Sequence, residues 1–445
     1  MRAQNLVATF RAMISRVYSS VLVRSSLVGA ALFASPMMLG VGPFSSGCSG
    51  VANVSTSSGG TSSTNTDSTN GGQSGGATAG DGASVPSETA GGGAVESAGK
   101  PPLPSANAEV NVAWQPRTRA RVLLSGHSLM DNPLADSLEV IASGRDRDYG
   151  WEQQIVIGSP LRARTRGNDA NGSSFPGYSY GKNRSGSQKD MLSELASPTA
   201  IGSNESYDAL VVTERHDILD VVTWEKTVPY LRHYHDRLRT HEPNARTIFY
   251  QSWWEMDKSN PQAWIDYQAK ELVAYECVAA KVNQSLQADG LPRAVTVVPA
   301  GLVLARFVKV ALEGGIPGIS GSAQDRLNAI FTDNVHLTRL GAYVMAAAVY
   351  AAVFAESPAS ATPPSDVDRA AAVAGAQVAW DVVSQYNRAG NEPWQRPLDQ
   401  CRTMVSALCP DYQTFRGRPV QCGDYWTSGE SPFGWPDSSF PLPAP

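Results

Sequence analysis

A serine and an Asp-x-x-His pair are the residues in this 445-residue sequence whose types and spacing best suit chemistry. Ser128 stands two residues after Gly126, behind an apolar run, and Asp333 stands three residues before His336. The Asp333 carboxylate can fix the imidazole tautomer while the other ring nitrogen takes a proton from a hydroxyl. Alternatively, Asp333 caps the helix that follows it and His336 packs passively.

The pattern of apolar residues indicates which elements position these side chains. Arg119–Leu124 is predicted to be a buried strand and Asp131–Ser143 a helix, so Ser128 lies near a helix N-terminus, where free N–H groups can stabilise an oxyanion. Further strands are predicted at Gln153–Ile157, Ala209–Val212, Thr247–Gln251 and Ala294–Val298. Further helices are predicted at Trp224–Arg239, Pro261–Ala288, Arg339–Ala355 and Asp366–Tyr386.

Alternation of strands with helices predicts an α/β fold. We expect a three-layer α/β/α sandwich with a parallel sheet of about five strands. Sites in such sheets form at the carboxyl ends of the strands, where Ser128 falls. The stretch 163–190 is predicted to be a long loop, and His233 and His235 are predicted to lie on the surface.

The order of these motifs resembles that of the SGNH hydrolases, also called the GDSL family. The resemblance consists of strand, Gly-x-Ser and helix at the start, then Asp-x-x-His-Leu-x-x-x-Gly before the last core helix, over about residues 118–356. It implies a flavodoxin-like fold and ester hydrolysis without a cofactor. It also implies that Ser128 is the nucleophile, His336 the base and Asp333 the orienting acid.

The same resemblance implies an oxyanion hole made by a glycine after strand two and an asparagine after strand three. Gly158 and His216 stand at these positions, and the backbone N–H of Ser128 is the third expected donor. The sequence departs from the family pattern in two places, because His127 replaces the usual aspartate and Glu214 replaces a glycine.

The departures leave other functions open. A non-catalytic, glycan-binding descendant of the same fold is one alternative. A metal site is another, built from His127, His216 and His336 with Asp333 or Glu214, although their spacing matches no compact ligand signature and we expect no metal.

His127, Glu214, Trp253 and Trp254 are candidates for substrate contact. The tryptophans could stack on a sugar ring or line an acyl pocket, or else pack against the neighbouring helix. An acetyl ester on a carbohydrate is therefore the preferred substrate class, with a lipid or short-chain ester as the nearest enzymatic alternative.

The N-terminal part of the chain is typical of an exported protein. Residues 1–48 combine a basic start with a short apolar stretch, which is typical of a signal peptide. Phe44-Ser45-Ser46-Gly47-Cys48 resembles a bacterial lipobox, which implies a lipid anchor on Cys48 and a membrane partner; conventional cleavage is the alternative. Residues 49–109, rich in Gly, Ser and Thr, are predicted to be a disordered linker.

Cysteines and charge complete the organisation. The hydrolase-like domain is expected at 110–390 and an extension packed on it at 391–445. In an exported protein four cysteines can form two disulfides, in any of three pairings. These cysteines are Cys277, Cys401, Cys409 and Cys422. The net charge of −5 argues against a nucleic-acid partner.

Overall fold

The computed structural model describes residues 114–131, 134–202, 204–388 and 392–433. All of them belong to the second of two units into which the chain divides, Val95–Pro445. The predicted signal peptide, the linker and Cys48 lie outside the described residues.

A mostly parallel sheet of seven strands forms the centre of the described part, with the order β4-β3-β2-β1-β5-β6-β7. The strands are β1 (Arg119–Gly126), β2 (Asp148–Ile155), β3 (Gly181–Asn183), β4 (Gln188–Lys189), β5 (Ala209–Thr213), β6 (Arg246–Tyr250) and β7 (Val295–Val298). Strands β2, β1, β5, β6 and β7 pair in parallel. The expected count of about five is therefore too low, because β3 and β4 add a short antiparallel edge from within the stretch predicted to be a loop.

Eleven α-helices are present in the described residues. They are α1 (Leu134–Ser143), α2 (Leu161–Arg166), α3 (Met191–Leu195), α4 (Ile218–Trp224), α5 (Thr227–Leu238), α6 (Pro261–Ala288), α7 (Ala300–Leu312), α8 (Ala323–Asn328), α9 (Arg339–Phe354), α10 (Arg369–Tyr386) and α11 (Leu398–Phe415). The helix predicted at Trp224–Arg239 is divided, because Lys226 adopts a left-handed conformation with φ of 55° between α4 and α5. His233 and His235 are buried, contrary to the prediction.

Helices cover both faces of the sheet. Successive β1 side chains point to opposite faces, so Val122 and Leu124 join one apolar core while Leu123 joins another. The first core contains α1, α7, α9 and α10, and the second contains α5, α6 and α11. Helix α9 is apolar on all sides and is buried along nearly its whole length.

Two disulfides are present, and the first of them joins the C-terminal part to the sheet-containing part, whereas the second closes a loop within the C-terminal part. Cys277 of α6 pairs with Cys401 of α11, and Cys409 pairs with Cys422. Two bonds were expected, and the structure selects one of the three possible pairings. No described helix is both long enough and apolar enough to span a bilayer.

Candidate functional site

Ser128 lies at the carboxyl end of β1, in a short 3₁₀ turn that covers Ser128–Met130. His127 caps this turn, since its Nδ1 accepts a hydrogen bond from the N–H of Leu129 at 3.5 Å. Gly126 is needed just before it, because a Cβ there would lie 2.8 Å from Met130. Ser128 therefore begins a turn whose first N–H groups have no partner within the helix.

Asp333 and His336 form one hydrogen-bonded turn just before α9. His336 Nδ1 lies 2.7 Å from Asp333 Oδ2, and the backbone N–H groups of Val335 and His336 donate to Oδ1 at 2.7 and 2.6 Å. Burial would raise the pKa of Asp333, but these hydrogen bonds outweigh it and lower the pKa to about 2. The carboxylate is therefore ionised and fixes the imidazole with Nδ1 as the donor.

Neighbouring segments hold this turn in place. The indole Nε1 of Trp253 donates to the carbonyl of Val335 at 2.8 Å. The N–H of Met256 donates to the carbonyl of Asn334 at 2.8 Å. Trp253 is fully buried. Its ring thus supports the His336 turn. Of the roles considered for Trp253, packing and lining a pocket fit this burial, whereas stacking on a sugar ring does not.

Ser128 and His336 line the same cavity, which has a volume of about 370 Å³. Apolar side chains make up most of its wall, among them Leu129, Ile157 and Met345. No hydrogen bond joins Ser128 to His336 in the part of the chain that the structure describes. The three predicted catalytic residues are therefore near one another, but the Ser128 hydroxyl and the His336 imidazole are not hydrogen-bonded; we call this the open contact.

Gly158 follows β2 directly after the cavity residue Ile157. It has a φ of +69°, which favours glycine, and space around its Cα is open. Its N–H donates to no backbone carbonyl among the described residues. Gly158 itself is not among the residues that line the cavity with Ser128.

His216 lies beyond β5 and packs against Trp254, with ring centroids 4.3 Å apart. Burial lowers the pKa of His216 to about 4, against the opposing charge of Asp217, and the nearby His336 adds to the lowering. His216 is thus neutral at pH 7. It does not line the cavity that holds Ser128.

His127 and Glu214 occupy supporting positions rather than exposed ones. Both are buried, and His127 Nε2 donates to the Glu214 carbonyl at 3.0 Å. The Glu214 carboxylate accepts hydrogen bonds from the N–H groups of Leu161 and Arg215 at 2.9 and 2.8 Å. These two departures from the family pattern therefore connect β1, α2 and β5 beneath the site, and neither side chain is placed to touch a substrate.

Arg164 is a further component that sequence reasoning missed. Its guanidinium is fully buried and donates to Ser125 Oγ at 3.1 Å, to the Ser159 carbonyl at 2.9 Å and to the Thr213 carbonyl. It thereby joins the carboxyl ends of β1, β2 and β5. No sequence signal marks it, because an arginine in a polar stretch ordinarily lies on the surface.

Metal binding receives no support from the described residues, which contain no cluster of three His, Cys, Asp or Glu side chains suited to an ion. Both ring nitrogens of His127 are already engaged. The alternative with three histidines therefore lacks one of its ligands.

Comparison with known proteins gives no family assignment. No family model matches the sequence, and no curated protein matches it. One solved structure, a DUF4886 family protein from Bacteroides uniformis, is similar with 13% identity and a TM-score of 0.39, covering 61% of this chain and 98% of its own. That similarity is too weak to carry a functional argument.

Proposed function

We propose that this protein is an SGNH-like serine hydrolase that cleaves a carboxylic ester. The observation that carries the proposal is that Ser128 and His336 line one cavity while Asp333 holds His336 Nδ1. The parallel strand order β2-β1-β5-β6-β7, with helices on both faces, supports the three-layer sandwich of that family.

In the proposed reaction, His336 Nε2 takes the proton of Ser128 as Oγ attacks the ester carbonyl. Asp333 keeps the tautomer and stabilises the imidazolium. The N–H groups of Ser128 and Gly158, with the His216 ring, stabilise the oxyanion. His336 then returns the proton to the leaving alcohol, and water activated by His336 releases the acid. Substrate binding closes the open contact between Ser128 and His336, as often happens in catalytic sites.

An acetyl ester on a carbohydrate is the preferred substrate. The apolar cavity suits a short acyl group, and the two disulfides favour an oxidising, exported location. A lipid or short-chain ester is the alternative substrate. We further propose that a lipid on Cys48 anchors the protein to a membrane.

Hydrolysis of p-nitrophenyl acetate and of acetylated polysaccharide by the full-length chain tests the proposal. Ser128→Ala should lower kcat by about 10⁴-fold and abolish labelling by a fluorophosphonate probe. Ser185→Ala, an exposed serine with only local hydrogen bonds, is the matched control and should leave both unchanged. Equal rates for the wild type and Ser128→Ala on every ester would reject a serine mechanism.

The second candidate is a non-catalytic glycan-binding protein of the same fold. The open contact between Ser128 and His336, together with the buried replacements His127 and Glu214, favours it. It predicts carbohydrate binding without any turnover that depends on Ser128.

A further inference from the structure

A second cavity, of about 420 Å³, lies outside the one that holds Ser128. Its wall combines the exposed indole of Trp224 with Asn171, Asp220, Arg416 and Arg418. None of the residues that line the first cavity lines this one.

Trp224 gives this cavity an apolar platform. It stands at the end of α4 and is 69% exposed, the largest exposed fraction among the large apolar side chains of the described chain. An indole face left in water can be covered by the C–H face of a sugar ring, which removes apolar surface from water.

Polar groups with free hydrogen-bonding capacity surround the platform. Both Arg416 and Arg418 pair with Asp220 Oδ2, Arg418 at 3.0 Å. Three groups have no hydrogen-bond partner among the described residues, namely Asp220 Oδ1, the side-chain amide of Asn171 and Arg418 Nη2. An acceptor beside donors is what the neighbouring hydroxyls of a sugar require, since each hydroxyl both donates and accepts.

The cavity is balanced in charge, because its three arginines face three carboxylates. Arg215 and Asp217 pair with each other through hydrogen bonds of 2.9 and 2.6 Å, and Glu225 accepts a hydrogen bond from the N–H of Ala170 at 2.8 Å. A site with no net charge selects neither a cation nor an anion. Its free groups therefore suit a neutral polyol.

Contacts through Arg416 connect this cavity to the candidate oxyanion region. The Arg416 guanidinium lies 4.6 Å from the centroid of the Trp254 ring, whose other neighbour is His216. Arg416 and Arg418 both belong to the segment enclosed by the Cys409–Cys422 disulfide. The C-terminal extension thus contributes part of the cavity wall beside the proposed catalytic site.

We propose that the second cavity binds a neutral sugar unit of a polysaccharide, with Trp224 as the stacking platform and Asp220, Arg418 and Asn171 as the hydroxyl-binding groups. The inference rests on the proposed function for the bond that is cleaved nearby, but binding itself needs no turnover.

Calorimetric titration of the full-length chain with neutral β-1,4-linked hexasaccharides of glucose, xylose and N-acetylglucosamine tests this proposal. Saturable binding of at least one of them is expected. Trp224→Ala should weaken it about tenfold and Arg418→Ala by a smaller factor. Tyr180→Ala removes another half-exposed aromatic ring outside the cavity and should leave binding unchanged. Absence of binding to all three sugars, or equal binding by Trp224→Ala, overturns the proposal, as does stronger binding of a hexagalacturonate.

Two crossed measurements separate this inference from the proposed function. Trp224→Ala should retain hydrolysis of p-nitrophenyl acetate while its kcat/KM on the acetylated polymer falls. Ser128→Ala should retain sugar binding while hydrolysis is lost. Hydrolysis that depends on Ser128 without sugar binding would reject only the inference, and sugar binding that depends on Trp224 without such hydrolysis would reject only the proposed function.

Discussion

Asp333 uses both carboxylate oxygens within a single turn of chain. Oδ1 accepts two backbone N–H groups, which shapes the turn, and Oδ2 accepts the imidazole N–H, which orients His336. The alternative role of Asp333 as the cap of the following helix is wrong, because Thr338 caps α9 by accepting a hydrogen bond from the N–H of Gly341 at 3.3 Å.

Replacing Asp333 by Asn should separate these two tasks. The amide oxygen can still accept backbone N–H groups, but the imidazole loses the partner that fixes its tautomer. We expect kcat for ester hydrolysis to fall by about 10³- to 10⁴-fold, with little change in the unfolding midpoint. Asp366→Asn, which breaks an ion pair of similar exposure with Arg339, is the matched control and should keep full activity.

The burial of His127 predicts that the free energy of unfolding depends on pH. Burial, aided by the charge of Arg164, lowers the pKa of His127 from 6.5 to about 3. As pH falls below 6.5, the unfolded chain binds a proton at His127 that the folded chain does not bind until about pH 3. This histidine thus contributes stability at pH 7 that is lost through this window, by at most about 1.4 kcal/mol per pH unit.

The difference in unfolding free energy between the wild type and His127→Gln isolates this effect, since distant titrating groups cancel. Urea titrations at pH 7.5, 6 and 5 should show that the unfolding free energy of the wild type exceeds that of His127→Gln by less and less as pH falls. A constant difference over this range would contradict the burial of a neutral imidazole.

Among the elements, the turn that follows β2 contains a positive φ at Gly158 whose importance can be tested by substitution. Gly158 and Gly186 both have positive φ, of 69° and 82°, with open space around the Cα. Substitution of either by Ala should cost about 1 kcal/mol of stability from backbone strain alone. Only Gly158→Ala should also lower kcat, about tenfold, because alanine disfavours the positive φ that orients the N–H expected to bind the oxyanion. Equal kcat values in the two variants would contradict the role of Gly158 in the oxyanion hole.

The two disulfides should stabilise the fold unequally. Cys277–Cys401 spans 124 residues of chain, whereas Cys409–Cys422 spans 13. Loop-closure entropy predicts that replacing the first pair by Ser lowers the unfolding free energy by about 5 kcal/mol, and the second by about 3 kcal/mol. Guanidinium unfolding of the two double variants, in which one cysteine pair or the other is replaced by Ser, measures both losses of unfolding free energy. The reverse order would show that packing of the extension, rather than chain entropy, dominates.

Viewed as a whole molecule, the protein joins an N-terminal segment typical of export to a folded unit held by disulfides. Cys48 lies in the first part and is the proposed point of attachment to a membrane. Cys48→Ser should therefore move the protein from the membrane fraction to the soluble fraction, as judged by fractionation and immunoblotting. Continued membrane association of the variant would mean that something other than a lipid on Cys48 holds the protein.

The positions of Ser128, Asp333 and His336 were predictable because each depends on local chain geometry. A glycine turn after an apolar run places the serine at a strand end, and a spacing of three brings a carboxylate to an imidazole. Five parallel strands followed from short apolar runs in the same way. The edge strands β3 and β4 did not, since elements of three and two residues contain too few side chains to show an alternation.

The roles of His127, Glu214 and Trp253 were decided only by tertiary structure. The sequence places each of them at a strand end, where exposure and burial are equally compatible with its type. Packing of α2 and the His336 turn against the sheet buries all three. The second cavity also exists only in the folded chain, because packing of the C-terminal segment, which the Cys277–Cys401 disulfide joins to α6, brings Arg416 and Arg418 to α4. Local patterns record short-range hydrogen bonding and periodicity, whereas burial depends on which distant segments pack together.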